Sequence, residues 1–350
     1  MTSTGWNSDR IGGVRRAGDT PFVPAPTVIW AFGFHEGHGH ELDPATIGAP
    51  ALDDENGPED GAFVWMHLHL ADHATIDWIE RGAGLDDGLR EMLLSTDEYQ
   101  RAVVGEDWVG IVVHDLKREY QLKHTDEIGA LHIAIGPRGI VTARKYPLGC
   151  GDIVRRRLLA GTRVASTGDA LAVVVGAIVE NLEQRLTQMS IEAQAVEDAV
   201  LAENARPGDG RLLKLRRSHA QLHRIVDGMH KVFLRLERDH DLPEALEEVT
   251  KNLAQRVLGL DSDLRALHGQ LLLLRDEMEA LGNQRINQNL YLLSVMTALM
   301  MPATLITGYF GMNTGDLPLI GHGGSLFSSL AVGGSSLAAY LFLRARGFFR

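Results

Sequence analysis

Hydrophobic and polar residues alternate in short runs along the first half of the chain. Five runs have the pattern of buried or half-buried strands: TVIWAFGF, AFVWMHLHL, DWVGIVVHDL, ALHIAIG and GIVTARK. Pro137 and Arg138 separate the last two, which is typical of a hairpin. Short helical patterns lie between the runs, at Ile76–Arg81, Asp86–Leu94 and Gly151–Ala160. The pattern predicts an α/β domain, or an α+β one, over residues 26–165.

Long helical periods replace this pattern in the second half. Three runs follow one another, at Asp169–Glu203, at Arg211–His240 and from about Pro243 onward. Proline is favoured in the first turn of a helix. A helix from Glu244 to Phe310 has 67 residues, which is about 100 Å at ~1.5 Å per residue. Such a rod suits a stalk that enters a membrane, so residues 166–289 are predicted to form long helices.

Two apolar segments close the chain. Residues 290–310 carry no charge and are long enough to cross a hydrocarbon core of ~30 Å; a buried core helix is the alternative. Residues 325–343 form a weaker segment that is rich in serine and glycine. Within it Ser325, Ser329 and Gly333 recur every four residues, a small-residue face that lets helices approach closely. Two transmembrane helices are therefore predicted, at residues 290–310 and 325–343.

The distribution of charge orients these spans. The formal net charge is −12, yet the tail at residues 344–350 holds three arginines and no acidic residue. The positive-inside rule places this basic tail in the cytoplasm. Residues 1–25 lack the apolar core of a secretory signal and are predicted to be a disordered tail. The α/β domain and both termini are then cytoplasmic, and an acidic body argues against nucleic acid as a partner.

One stripe of the first span is small or polar. Steps of three and four residues connect Asn287, Leu290, Ser294, Thr297, Met301, Thr304 and Gly308, while Leu292, Met296 and Leu299 lie on the neighbouring side. In lipid, a polar stripe must face protein or water. Lining a pore is the favoured interpretation, and a seam between packed helices is the alternative. Because two helices cannot enclose a pore, the chain would have to form an oligomer around an axis.

The turn at residues 311–324 joins the two spans. It contains an asparagine, an aspartate and several glycines, without lysine or arginine. Neutral oxygens repeated around a ring suit a cation. We therefore expect this external loop to form the mouth of the pore.

These same residues resemble a known family. GYFGMN, ending at Asn313, resembles the Gly-Met-Asn signature of CorA-type divalent cation transporters, and the following TGDLP resembles their ZntB zinc-transport branch. The layout of the whole chain is also similar. The resemblance implies a homopentamer in a bacterial inner membrane, with a cytoplasmic funnel, a first span that lines the pore, and Gly311, Met312 and Asn313 at its entrance. Asp316 stands where the zinc branch commonly has glycine.

Transport of Zn²⁺ is therefore the favoured function. Transport of Mg²⁺ or Co²⁺ is the first alternative, and a membrane-anchored metal-sensing scaffold is the second. The chain shows no nucleotide-binding fingerprint and no catalytic constellation, so we expect neither an enzyme nor a permanently bound cofactor. The single cysteine excludes an internal disulfide framework and a cysteine zinc cluster.

Two groups of histidines raise the question of bound metal. The first lies in FHEGHGHELD and consists of His35, His38 and His40. A solvated hairpin loop is favoured there over weak zinc binding. The second has helical spacing and consists of His219, His223, Asp227 and His230. Its H-x₃-H spacing is that of zinc sites, although a solvated helix produces it by chance. His67 and His69 alternate on a predicted strand, where a structural role is favoured.

Overall fold

The computed structural model describes residues 25–43, 62–118, 127–202, 210–312 and 324–347. It divides into two compact units. The first holds the described residues up to Leu273, and the second holds those from Leu274 onward. The predicted disordered tail, apart from residue 25, lies outside the described residues.

Seven strands and seven helices are formed by the described residues. The strands are β1 Val28–His35, β2 His38–Leu42, β3 Phe63–His69, β4 Arg101–Val104, β5 Val109–Leu116, β6 Ile128–Ile135 and β7 Gly139–Arg144. The helices are α1 His73–Arg81, α2 Asp87–Leu94, α3 Gly149–Leu159, α4 Thr167–Leu201, α5 Arg211–Glu237, α6 Glu244–Phe310 and α7 Gly324–Ala345.

The strands form one mixed sheet in the order β2-β1-β3-β7-β6-β5-β4. Neighbours are antiparallel except for β3 and β7, which are parallel. The predicted hairpin between β6 and β7 is confirmed, and Gly136 N–H donates to the carbonyl of Gly139 at 2.9 Å. Five predicted strands are confirmed, whereas β2 and β4 were not predicted.

Helices cover both faces of the sheet. On one face Trp78 of α1 and Leu89 of α2 join Met66, Val112 and Val141 in a buried core. Successive residues of a strand point to opposite faces of the sheet, so the strand residues between these point to the other face. Helices α3 and α4 pack on that face. The first unit thus contains a mixed sheet covered by helices on both faces, in agreement with the predicted α/β domain.

Asp115 ties the second layer of helices to the sheet. Its buried carboxylate accepts hydrogen bonds from Cys150 N–H at 2.7 Å and from Asn181 Nδ2 at 2.8 Å. Burial raises the pKa of Asp115, and these donors oppose that rise. Burial also raises the pKa of the Cys150 thiol, which is therefore neutral and inert.

The three long helices also pack against one another within the first unit. Gln270 of α6 donates to Glu197 of α4 at 3.0 Å, and α6 buries an apolar residue every three or four positions. That spacing is the apolar face predicted for a helix packed on its neighbours. The helix begins at Glu244, directly after Pro243, and continues without a break through Pro302.

Candidate functional site

Two helices of the described residues are long and apolar enough to cross a membrane. They are α6 and α7, and only 6% of the most apolar 18-residue window of each is buried. The core helix of a soluble protein would be mostly buried. Exposure of so much apolar surface therefore argues against the buried core helix that the sequence left as an alternative.

One side of α6 packs beside α7 in the second unit. Ser336 Oγ donates to the carbonyl of Leu299 at 3.4 Å, and Val295 is buried. The less exposed residues of this part of α6 are Val295, Ala298, Leu299, Pro302, Ala303, Ile306 and Phe310. The contact is built mainly from apolar and small side chains. Leu299, which the sequence assigned to the apolar side of the span, lies in it.

The predicted pore-lining stripe lies on the other side of α6. Its members are all exposed in the single chain: Asn287, Leu290, Ser294, Thr297, Met301, Thr304 and Gly308. At ~3.6 residues per turn their mean direction is roughly 150° around the helix from the side that meets α7. Thr304, at the edge of the stripe, also borders the groove beside α7. The stripe is thus left uncovered, and its lining role stays a prediction.

The hydroxyl groups of this stripe bond back to their own helix. Ser294 Oγ donates to the carbonyl of Leu290 at 2.8 Å, Thr297 to that of Leu293 at 2.8 Å, and Thr304 to that of Met300 at 2.9 Å. Each hydroxyl hydrogen is therefore occupied, while the oxygen lone pairs stay available. A surface that offers oxygen acceptors favours cations over anions.

The predicted entrance begins where α6 ends. Gly311 N–H donates to the carbonyl of Thr307 at 2.9 Å. A Cβ at Gly311 would lie 2.9 Å from that same carbonyl oxygen, so a side chain there would require the helix end to shift. Met312 is exposed. Asn313 and Asp316 lie outside the described residues, and their predicted roles stay untested.

The small-residue face of α7 has no partner within the described chain. Ser325, Ser329 and Gly333 are exposed, and a Cβ at Gly333 would meet no atom within 4 Å. The residues of α7 that turn toward α6 include Ser328, Ser335 and Ser336. The predicted close-approach face is therefore not the one that contacts α6.

The members of the helical histidine group contact different partners. His219 Nε2 donates to the carbonyl of Leu264 at 2.9 Å, and Asp227 accepts from Lys231 at 2.7 Å. Burial lowers the pKa of His219. His223 instead faces Asp261 of α6, with 3.6 Å between Nε2 and Oδ1. The four residues proposed as a metal site do not converge on one point.

The hairpin histidines occupy a tight turn between β1 and β2. His35 and His38 are directly opposite each other, on either side of a two-residue turn at Glu36 and Gly37. Both turn residues have positive φ, 51° and 83°, as in the turns that suit hairpins. The structure therefore forms a hairpin at these residues. Across the ranges that the structure describes, no group of three or more His, Cys, Asp or Glu side chains is arranged to hold a metal ion.

His67 is a structural core residue. Arg144 Nε donates to its Nε2 at 2.9 Å, its Nδ1 lies 2.9 Å from Thr142 Oγ1, and its ring stacks on Trp30. Burial and the Arg144 charge lower the pKa of His67 to about 3. Both ring nitrogens are occupied, which excludes a ligand role in this conformation.

Sequence reasoning missed the residues that α6 contributes beside α5. Asp261 is buried opposite His223, and the ring of His268 lies 5.2 Å from that of His219. These residues are 38 to 49 positions from the helical histidines, and no local spacing indicates them. The antiparallel packing of two long helices could have suggested them once the helix ends were known.

Comparisons with known proteins cover most of the chain. The family model described as CorA-like Mg²⁺ transporter protein matches residues 60–345. The zinc transport protein ZntB of Cronobacter sakazakii is 23% identical over 299 residues, which cover 85% of this chain and 87% of that protein. ZntB of Pectobacterium atrosepticum is 22% identical over 287 residues, which cover 80% and 86%.

Solved structures share the fold. The full-length CmaX protein has a TM-score of 0.73 at 20% identity, over 94% of this chain and 99% of that one. The CorA magnesium transporter from Methanocaldococcus jannaschii has a TM-score of 0.71 at 18% identity, over 92% and 99%. The cytoplasmic domain of ZntB from Vibrio parahaemolyticus has a TM-score of 0.61 at 10% identity, over 74% and 99%. At these identities the likeness is one of fold.

Proposed function

The chain belongs to the family of CorA-like Mg²⁺ transporter proteins, and from that premise we propose that it moves divalent metal cations through a homo-oligomeric membrane pore. The family is one of transporters rather than enzymes. The match extends to residue 345 and so includes both candidate spans.

The observation that supports a pore most directly is the uncovered stripe of α6. Ser294 and Thr297 carry bonded hydroxyls on the side away from α7, and Thr304 carries one at the edge of the stripe. A scaffold without transport has no need of oxygen acceptors on that side. A ring of copies would bring these oxygens together around one axis, where they replace part of the water around an entering ion.

The entrance would be formed by Gly311, Met312, Asn313 and Asp316. The tight end of α6 supports this, because Gly311 allows the chain to turn without a steric clash at the Thr307 carbonyl. The Asn313 amide is a neutral oxygen ligand, suited to a hydrated divalent ion that gives up its water reluctantly. Asp316 would add one carboxylate per copy at the rim.

Zn²⁺ is the proposed cargo, because the curated relatives are named zinc transport proteins. Mg²⁺ or Co²⁺ is the alternative: the family model carries Mg²⁺ in its description, and one structural relative is a magnesium transporter. The chain would form a homopentamer in the bacterial inner membrane, with both termini in the cytoplasm. The arginines that follow α7 support that orientation.

Flux into proteoliposomes tests the proposal. Full-length protein is reconstituted, and uptake of Zn²⁺, Mg²⁺, Co²⁺ and Ni²⁺ is followed with and without a pH gradient. We expect Zn²⁺ uptake to exceed Mg²⁺ uptake at equal concentration. The reverse order would favour the magnesium alternative. Absence of flux for every ion from a correctly assembled oligomer would favour the scaffold.

A further inference from the structure

The contact between α5 and α6 gathers three imidazoles and one buried carboxylate. His219 and His223 lie on α5, and Asp261 and His268 lie on α6. The ring centroids of His219 and His223 are 6.1 Å apart. Asp261 is 3% exposed, which is rare for a carboxylate without full compensation.

One oxygen of this carboxylate is left over. Asp261 Oδ2 accepts from Arg265 at 2.7 Å. Oδ1 is buried and has no hydrogen-bond partner among the described residues. The group that faces it is His223 Nε2, 3.6 Å away. That distance is too long for a hydrogen bond.

The same distance is within about 0.3 Å of that between two ligands of one metal ion. Zinc bonds of ~2.0–2.2 Å to nitrogen and oxygen, held at a tetrahedral angle, separate the two ligand atoms by about 3.3–3.5 Å. Metal-bound carboxylates also commonly have their second oxygen hydrogen-bonded, as Arg265 does here. We propose that His223 Nε2 and Asp261 Oδ1 form a two-residue Zn²⁺ site between α5 and α6, completed by water.

Solvent can reach the pair through His223. His223 has a 40% exposed side chain, which leaves a path from solvent. The site belongs to the first unit and the predicted pore-lining stripe to the second, and binding at the site does not depend on transport.

Equilibrium dialysis of full-length protein in detergent against radioactive Zn²⁺ tests the site. We expect His223→Gln to bind one zinc fewer per chain than the wild type. His230→Gln, on the same helix two turns later, is the matched control and should bind as the wild type does. Asp261→Asn should match His223→Gln, but its buried position can cost stability, so the half-exposed His223 is the decisive variant.

Stability supplies a second readout. Zinc bound by the folded state raises the unfolding temperature, so Zn²⁺ should stabilise the wild type and His230→Gln more than His223→Gln. Equal zinc stoichiometry and equal stabilisation in His223→Gln and the wild type would overturn the proposal and leave a simple ion pair. An equal loss in the His230→Gln control would overturn it too. Failure of flux with this binding intact would count against transport alone.

Discussion

His132 allows the pH dependence of the N-terminal domain to be worked out. Its side chain is 1% exposed in β6, and Nδ1 donates to the carbonyl of Met92 at 3.3 Å. Burial lowers the pKa of His132 to about 4, from 6.5. Between pH 4 and pH 6.5, His132 is therefore protonated in the unfolded chain but neutral in the folded domain. Its contribution to stability is complete above pH 6.5 and is lost as the pH falls toward 4.

The size of this effect follows from linkage. Each pH unit below 6.5 costs about 1.4 kcal/mol until the folded pKa is approached. Between pH 7.5 and pH 5, His132 alone should remove about 2 kcal/mol from the free energy of unfolding. His67 should add a similar amount, because its pKa is also lowered, to about 3. We predict that, between pH 7.5 and pH 5, the free energy of unfolding of His132→Gln falls by about 2 kcal/mol less than that of the wild type.

Tryptophan fluorescence is the appropriate assay. All five tryptophans lie within the first 108 residues, so urea unfolding of the full-length protein in detergent reports on this domain. His73→Gln, at an exposed position of α1, is the control and should keep the wild-type pH dependence. If His132→Gln keeps it as well, then His132 is not a buried neutral imidazole and the reasoning fails.

Three further predictions concern the proposed pore. Asn313→Ala should abolish Zn²⁺ flux while the oligomer still assembles; normal flux would contradict its role at the entrance. Thiol reagents should block flux through Thr297→Cys but not through Leu299→Cys. Because Cys150 is buried, the otherwise unchanged chain is an unreactive background. Equal block of both variants would refute the assignment of the side of α6 that faces the pore. Asp316→Asn should reduce uptake most at low salt, where screening over ~10 Å is weakest; a reduction independent of salt would exclude attraction by its field.

Strong periodicity made most elements predictable. Strands β1, β3 and β5–β7 are buried on both faces of a covered sheet, so each is recognisable in the sequence as an apolar run. The missed strand β2 reads HGHEL, which is polar on both faces and is placed by pairing with β1 rather than by its own burial. Strand β4 has four residues and lies at the sheet edge, too short for a period to be visible.

Side-chain partners were predictable only along a single helix. The spacing of His219 and His223 placed them on one face of α5, as observed. It could not show that Asp227 bonds Lys231 instead of joining them, because rotamer choice decides that. Nor could it supply Asp261, which depends on the register between two helices and is set by packing across 38 residues of chain.

The single parallel pair in the sheet has a consequence for synthesis. Val64 of β3 pairs with Gly139 of β7, 75 residues later, and every other strand pair is antiparallel. At ~5–20 residues per second, β7 leaves the ribosome about 4–15 s after β3. If β1–β3 pair during that interval, β3 is an apolar edge with unpaired backbone groups, the kind of surface that joins other chains. A pause that lengthens this interval, such as rare codons before residue 139, should increase aggregation and demand for chaperones more than the same pause placed after residue 144.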